Sequence, residues 1–261
     1  MNIAGTDEVA EVALAYNHLL DRLEGNIQQL TESRVMQQEA VLSALQSQIN
    51  SHFLYNALES INSLANLERN EEIKQTAIAL SAMLRYTSNY KDTIVTLEEE
   101  IDHLQNYLKI IGILYEDEIV FDIHLPEDLR KVLCIKAILQ PIVENSIKHG
   151  FESTGNPMRI EIECAPYRQH YVQVCITDNG IGFSETKLEA IQQSLKEESA
   201  NNYKQGSRIG LLNVHNRLRM RYPQQETGVS VGRLDNGNTE VRITFPLQIM
   251  KEADPDARSS R

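Results

Sequence analysis

The chain has 261 residues, 41% hydrophobic and 24% charged, with a formal net charge of −12 at neutral pH. That length allows one large or two modest domains with packed cores. The acidic balance argues against a general nucleic-acid binder, which needs a basic surface to neutralise phosphate. No run approaches the roughly 20 apolar residues of a membrane span, and acids stand near the N-terminus where a signal peptide carries lysines, so the expectation is a soluble, intracellular chain. Cys134, Cys164 and Cys175 form no C-x-x-C pair. They are expected to be apolar packing residues rather than a disulfide framework or a zinc site.

Proline is absent before Pro126, and all seven prolines lie from there onward. This shift predicts a long helical module ahead of a mixed α/β one. In residues 7–30, Val9, Ala13, Tyr16, Leu20, Leu23, Ile27 and Leu30 alternate steps of four and three, the pattern of a coiled-coil seam. The phase breaks near Thr31 and resumes at Val35, Leu42, Leu45, Ile49 and Phe53, and such a stutter changes the local supercoil. The alternative is a helix packed against its own domain. The helical stripe continues through Ala57, Ile61 and Leu64 to about Asn70, and Ile73, Ala77, Leu80 and Leu84 follow a polar turn at 68–72. Two amphipathic helices joined tightly predict an antiparallel hairpin, whose wide apolar faces are most simply buried against a second copy as a four-helix bundle.

Thr96 with Glu99 is a capping box opening a helix over 97–114. Beyond it the pattern predicts a strand at 119–123, a helix at 128–149, strands at 158–164 and 170–177, a loop at DNGIGF and a helix at 184–198. A polar segment at 199–207, a helix at 209–221 and strands near 228–234 and 239–247 follow. Helices interleaved with alternating strands indicate an α/β sandwich. The tail ADPDARSSR has the composition of a disordered segment.

Five stretches carry chemistry. In QINSHFLYNALESI, His52 interrupts an apolar helical pattern and sits about 100° from Phe53, at the flank of the packed face. Asn56 lies one turn on. In LQPIVENSIKHG, the amide oxygen of Asn145 can ligate Mg²⁺, a hard cation that shares oxygen ligands with phosphates; the other reading is a structural asparagine near a helix end closed by Gly150. In VCITDNGIGF, a strand delivers Asp178, whose carboxylate can accept an exocyclic amine, while Gly180 and Gly182 let backbone approach a flat ring. In KQGSRIGLLNVHNRL, Gly206 and Gly210 bracket the start of a helix, where free N–H groups suit phosphate, and the polar EESANNYKQGS before it is a candidate lid. In NGNTEVRITFP, Thr239 and Thr244 are possible polar contacts.

ENSIKHG, DNGIGF and GSRIGLLNVHNRL, in this order, resemble the N, G1 and G2 boxes of the Bergerat (GHKL) ATP-binding domain found in histidine kinases, gyrase, the Hsp90 chaperones and MutL. QINSHFLYNAL is similar to the phosphoacceptor box of the LytS/YesM-like (HFLYN-type) sensor histidine kinases, and TDEVAEVALAYNHLLDRLEGN resembles the last helix of a HAMP signal relay. The resemblance implies a division into a HAMP-like signal helix at 1–34, a dimerisation and phosphotransfer hairpin at 35–95, an ATP-binding domain at 96–250 with its linker helix at 96–114, and a tail at 251–261. It implies that His52 accepts the γ-phosphoryl group of ATP, that Asn145 holds Mg²⁺, that Asp178 reads the adenine amine with Gly180 and Gly182 beside the base, that Gly206 and Gly210 flank the lid, and that Lys148 and His149 approach phosphate. Histidine suits the acceptor role because its neutral ring is nucleophilic near pH 7. The partners implied are a second copy and the receiver domain of a response regulator. The setting implied is the cytoplasmic part of a cell-membrane sensor, tied to the membrane only through segments outside this chain.

In the hydrolysing branches of this superfamily, a glutamate four residues before the magnesium asparagine activates water; here Pro141 stands there, and Glu144 is expected to point about 100° away from Asn145. Three departures from the pattern involve four residues. Ser51 replaces a proline, predicting a straighter helix at His52. Arg208 replaces a glycine, removing backbone freedom while offering a bidentate phosphate contact. Gly112 and Leu114 replace basic residues. Phe53 occupies the position after the acceptor where other histidine kinases carry a carboxylate, so Asn56 is expected to orient the ring. The rival expectations are a degenerate kinase serving as a dimeric nucleotide-binding scaffold and a GHKL-type ATPase.

Overall fold

The computed structural model describes residues 20, 22–25, 51–89, 93–116, 118–152, 155–196, 209–223 and 226–250. Most of the predicted seam at 7–30, the stutter, the lid at 199–207 and the tail at 251–261 lie outside them. The chain forms two units, Met1–Gln48 and Ile49–Arg261. The hairpin, the sheet and its helical layer all belong to the second.

Helix α1 (Ser51–Asn66) and helix α2 (Asn70–Ser88) form the expected hairpin. The turn between them satisfies the carbonyls that end α1: Arg69 N–H donates to Leu64 O at 3.0 Å and Glu68 N–H to Ala65 O at 3.2 Å, with Glu68 left-handed at φ 58°. This is a Schellman closure with glutamate where glycine is usual. Phe53, Ala57 and Leu64 of α1 and Thr76, Ala79, Leu80 and Met83 of α2 are buried.

Strand β1 (Ile94–Thr96) leads into helix α3 (Leu97–Leu114), and the predicted capping box is present: the Thr96 hydroxyl accepts from Glu99 N–H while the Glu99 carboxylate accepts from Thr96 N–H. Helix α3 is buried on most sides, through Leu97, Ile101, Leu104, Tyr107, Leu108, Ile110 and Ile111. Its Glu100 has no exposed surface and accepts four hydrogen bonds, from Ala137, Ile138 and Leu139 N–H at 2.8, 2.7 and 3.0 Å and from the Tyr86 hydroxyl of α2. A buried carboxylate is tolerated only when its lone pairs are matched in this way.

Strand β2 (Ile119–His124) follows. The predicted helix over 128–149 does not form as one element. Its place is taken by a 3₁₀ turn (Glu127–Leu129), strand β3 (Leu133–Ile135), a bent segment at 136–139, helix α4 (Gln140–Ser146) and one π-helical turn (Ile147–Phe151). A continuous apolar run has no period to separate buried strand from buried helix. β3 pairs antiparallel with β1, Cys134 opposite Val95. Pro141, which lacks an N–H, fits only the first turn of a helix, so α4 starts there.

Strands β4 (Met158–Tyr167) and β5 (Tyr171–Asp178), helices α5 (Glu185–Lys196) and α6 (Ile209–Arg221), and strands β6 (Gly228–Arg233) and β7 (Thr239–Pro246) complete the unit close to their predicted spans. The sheet order is β2-β4-β5-β7-β6, with β2 and β4 parallel and the other neighbours antiparallel. Alternation puts Ile160, Ile162, Val174, Ile176, Val241, Ile243 and Phe245 into a core with Ile142, Ile191, Leu211, Val214 and Leu218 of the helical layer. The fold class is therefore the expected one, a helical hairpin followed by an α/β sandwich. The three cysteines are free thiols, and burial pushes the Cys164 thiol up to about 12, which makes it inert.

Candidate functional site

The register of three strands brings Asp178, the last residue of β5, opposite Thr239 at the start of β7 and Ile160 of β4. There it is buried, accepting from the Ser146 hydroxyl at 2.8 Å and from Gly180 N–H at 3.1 Å. Burial pushes its carboxyl above the ordinary aspartate value, and the two hydrogen bonds partly offset that. Around it a pocket is formed by Ile142, Asn145, Ser146, His149, Gly150, Gly182, Phe183, Leu211, Thr239 and Val241. Its interior holds about 20 Å³, the room of a single water, so its walls must part for a larger guest.

Glycines shape this pocket through close approach. A Cβ on Gly180 would lie 2.7 Å from Gly150 Cα, and one on Gly150 would lie 2.6 Å from Met158 Cε. Gly182 is left-handed at φ 67°, with Thr239 Oγ1 3.1 Å from where a Cβ would be. A Cβ on Gly210, at the start of α6, would lie 2.5 Å from Asn145 Nδ2. His149 Nε2 is buried without a hydrogen-bond partner among the described residues, and burial together with Lys187 and Lys148 holds its ring below the ordinary histidine value, so it presents a neutral imidazole.

Asn145 also bounds a second, larger space. A cleft of about 510 Å³ lies between α1 and α4, lined by Phe53 and Asn56 on one side, Tyr107, Ile111 and Leu114 of α3 with Tyr115 just after it, and Glu144, Asn145, Ile147, Lys148 and Glu152 on the other. Phe53 anchors α1 here, its ring 5.0 Å from that of Tyr107. His52 is the second residue of α1, four residues before Asn56. On the opposite wall, Glu144 Oε1 accepts from Gln140 Nε2 at 2.7 Å, and Gln140 Oε1 meets His103 Nε2 at 2.6 Å. Burial pushes the Glu144 carboxyl up, against the Gln140 bond and the Lys148 charge.

Asn145, His149, Asp178, Gly180, Gly182 and Gly210 are thus brought together, with Lys148 and Asn56 at the cleft. Gly206 and Arg208 lie outside the described residues. Thr244 is not at the site. It is five residues along β7 from Thr239, on the other face of the sheet, where it accepts from Gln173 Nε2 at 3.2 Å. The odd spacing of 239 and 244 carries that signal, since the strand period is two. Sequence reasoning also missed Ser146, which orients Asp178 and is adjacent to Asn145, and the buried partners His103 and Gln140. No group of three or more His, Cys, Asp or Glu among the described residues could hold a metal ion. A cation at Asn145 would have to take most of its ligands from a phosphate-bearing guest and water.

The family described as histidine kinase matches residues 40–119, and the histidine kinase-, DNA gyrase B-, and HSP90-like ATPase family matches residues 131–249. The chain is 29% identical over 242 residues to the sensor histidine kinase YesM of Bacillus subtilis, covering 93% of this chain and 39% of that protein. It is 32% identical over 212 residues to the sensor protein kinase HptS of Staphylococcus aureus, covering 79% of this chain and 39% of that protein. The chain therefore spans about two fifths of the length of these relatives. Among solved structures, the catalytic domain of histidine kinase ThkA aligns at 16% identity with a TM-score of 0.44, covering 60% of this chain and 98% of that one. Across these two matched regions, a helical hairpin ahead of an α/β layer, the chain is similar to the sensor histidine kinases.

Proposed function

We propose that this chain is the kinase part of a two-component sensor. It transfers the γ-phosphoryl group of ATP to His52, and from there to an aspartate on the receiver domain of a response regulator. The observation that carries this reading is the double position of Asn145, whose side chain bounds both the buried pocket on Asp178 and the cleft walled by the helix of His52. A nucleotide with its base on Asp178 directs its phosphates past Asn145 toward α1.

The residues fit such a guest. Asp178 accepts the adenine amine, Gly150, Gly180 and Gly182 let the backbone close tightly around it, and His149 Nε2, without a partner among the described residues, and Lys148 at the cleft suit phosphate oxygens. Asn145 is the side chain that would hold Mg²⁺, which supplies charge neutralisation to the phosphates when bound. The imidazole lone pair of His52 forms the N–P bond as the bond from γ-phosphorus to ADP oxygen breaks, and ADP leaves with the electron pair. Asn56, on the cleft wall one turn from His52, orients the acceptor ring.

The division proposed is a HAMP-like helix at 1–34, a hairpin at 35–95, an ATP-binding domain at 96–250 and a tail at 251–261. Tyr55, Leu58, Ile78 and Leu84 remain exposed on the hairpin, which supports a homodimer closing a four-helix bundle. No described helix is long and apolar enough to cross a membrane, and membrane attachment is assigned to segments beyond this chain.

Incubation with γ-labelled ATP and Mg²⁺ tests the reading. Label on the native chain and none on His52→Gln is the expected result. Nucleotide binding without label would instead support a dimeric scaffold, and phosphate release that survives loss of His52 would support an ATPase.

A further inference from the structure

The bent segment at 136–139, just ahead of the Asn145 helix, is held from three directions. Ala137 is left-handed at φ 54°, a conformation that a residue with a Cβ keeps only when its surroundings enforce it. Its N–H donates to Glu100 at 2.8 Å, and its carbonyl accepts from Arg217 of α6 at 2.9 Å. Arg217 also donates to Lys136 O, and Lys136 Nζ donates to Asn89 O at 2.9 Å, at the end of α2. Glu100, Lys136 and Arg217 are all buried.

A second line of contacts starts at the same place. The Tyr86 hydroxyl of α2 donates to Glu100, and its ring stacks on His103 with centroids 4.1 Å apart and 17° between planes. With the Glu144 carboxylate as acceptor, the Gln140 amide must turn its NH₂ toward Glu144 and its oxygen toward His103. His103 then carries its proton on Nε2. This matches its Nδ1, which is buried with no partner among the described residues. Each group fixes the orientation of the next, from the hairpin's end to the cleft wall beside Asn145.

From these contacts we infer that Tyr86 and Gln140 are positioning residues for the nucleotide site: the relay Tyr86–His103–Gln140–Glu144, backed by Glu100 on the 137–139 segment, sets the first turn of α4 and thereby the Asn145 carboxamide. The end of the signalling hairpin is mechanically joined to the residue at the phosphate end of the pocket. The inference rests on the reading of Asn145 as the Mg²⁺-holding side chain of the nucleotide site.

The test measures affinity for a fluorescent ATP analogue on the full chain, in EDTA and in Mg²⁺, alongside melting temperature. Tyr86→Phe keeps the ring stack and removes only the hydroxyl; Gln140→Leu removes both amide contacts. Affinity in EDTA is expected to stay within about twofold in both, because the Asp178 end is untouched. The gain in affinity brought by Mg²⁺ is expected to fall about threefold in Tyr86→Phe and about fivefold to tenfold in Gln140→Leu, the scale of one or two hydrogen bonds. Stability losses with the Mg²⁺ gain intact in both variants would overturn the inference. Tyr86→Phe is mild enough to decide the matter if Gln140→Leu does not fold. A native chain that binds the analogue with no Mg²⁺ gain would refute the Asn145 reading itself, and the inference with it.

Discussion

Replacing Gly180 by alanine adds one methyl group where the loop after β5 meets the π turn after α4. Its carbon would lie 2.7 Å from Gly150 Cα, 3.0 Å from Asp178 Oδ1 and 3.5 Å from Met158 Cε. Carbon atoms rest at about 3.5–4.0 Å, so the first contact is short by roughly 1 Å, and its partner is backbone that no rotamer change can move aside. The loop and the turn must separate, which costs about 1–3 kcal/mol as local overpacking. For a folded unit of this size that is a fall in melting temperature of roughly 3–8 °C. The same displacement pulls Asp178 from Ser146, so nucleotide affinity should fall about tenfold or more, the value of a hydrogen bond to a charged group. Gly232→Ala is the matched control, because its added carbon meets nothing within 4 Å. Thermal denaturation and titration with a fluorescent nucleotide read both effects. A Gly180→Ala chain indistinguishable from the Gly232→Ala control would refute the packing argument.

Two further substitutions separate binding from stability. Gly210→Ala places a carbon 2.5 Å from Asn145 Nδ2, but a side-chain amide can rotate away, and alanine favours a helix over glycine by about 1 kcal/mol. The melting temperature should hold or rise while Mg²⁺-dependent nucleotide affinity drops about fivefold; unchanged affinity would mean that Asn145 is not held against this turn. Asp178 has a raised carboxyl, so its native state binds the proton more tightly than the unfolded chain does. The cost of its buried charge is fully present above the folded value and is relieved as pH falls through it. Asp178→Asn should therefore melt no lower than the native chain at pH 7, with any advantage shrinking on acidification, while losing adenine-nucleotide binding. A clear loss of stability at pH 7 with binding retained would contradict this.

Where a periodic signal existed, it located the elements. Thr96 and Glu99 marked the start of α3, and the change from helical to alternating period placed β4, β5 and β7 to within a few residues. The stretch from 128 to 139 failed because VLCIKAIL, apolar but for Lys136, carries no clear period, and only long-range pairing of β3 with β1 makes part of it a strand. At the site, glycines and Asp178 were legible because backbone approach and a strand end constrain residue type locally. Thr244 stands on the opposite face of β7 from Thr239, because an odd spacing along a strand changes face. Glu100, His103, Gln140 and Arg217 were invisible for a different reason: each reads as an ordinary helix residue, and its role arises only when distant segments bring partners to it.

If the proposed transfer to His52 holds, the place of Glu144 bears on why such a chain would phosphorylate a histidine rather than hydrolyse ATP. An angle of about 100° from its neighbour was expected to turn Glu144 away from the phosphates, yet both residues line the same cleft. Angular separation along the helix therefore does not keep this carboxylate from water. What distinguishes it is engagement: Glu144 Oε1 is taken by Gln140, whose other end is taken by His103. A carboxylate fixed in this way is less free to bind and deprotonate a water beside the phosphate, because doing so would strand the buried amide. Pro141 completes the arrangement. As the residue that can only begin a helix, it sets where α4 starts. Occupying the position four before Asn145, it also leaves no side chain there that could accept a proton. Helix initiation and the lack of a hydrolytic base thus have one cause in the sequence, and Gln140 beside it controls the carboxylate that remains.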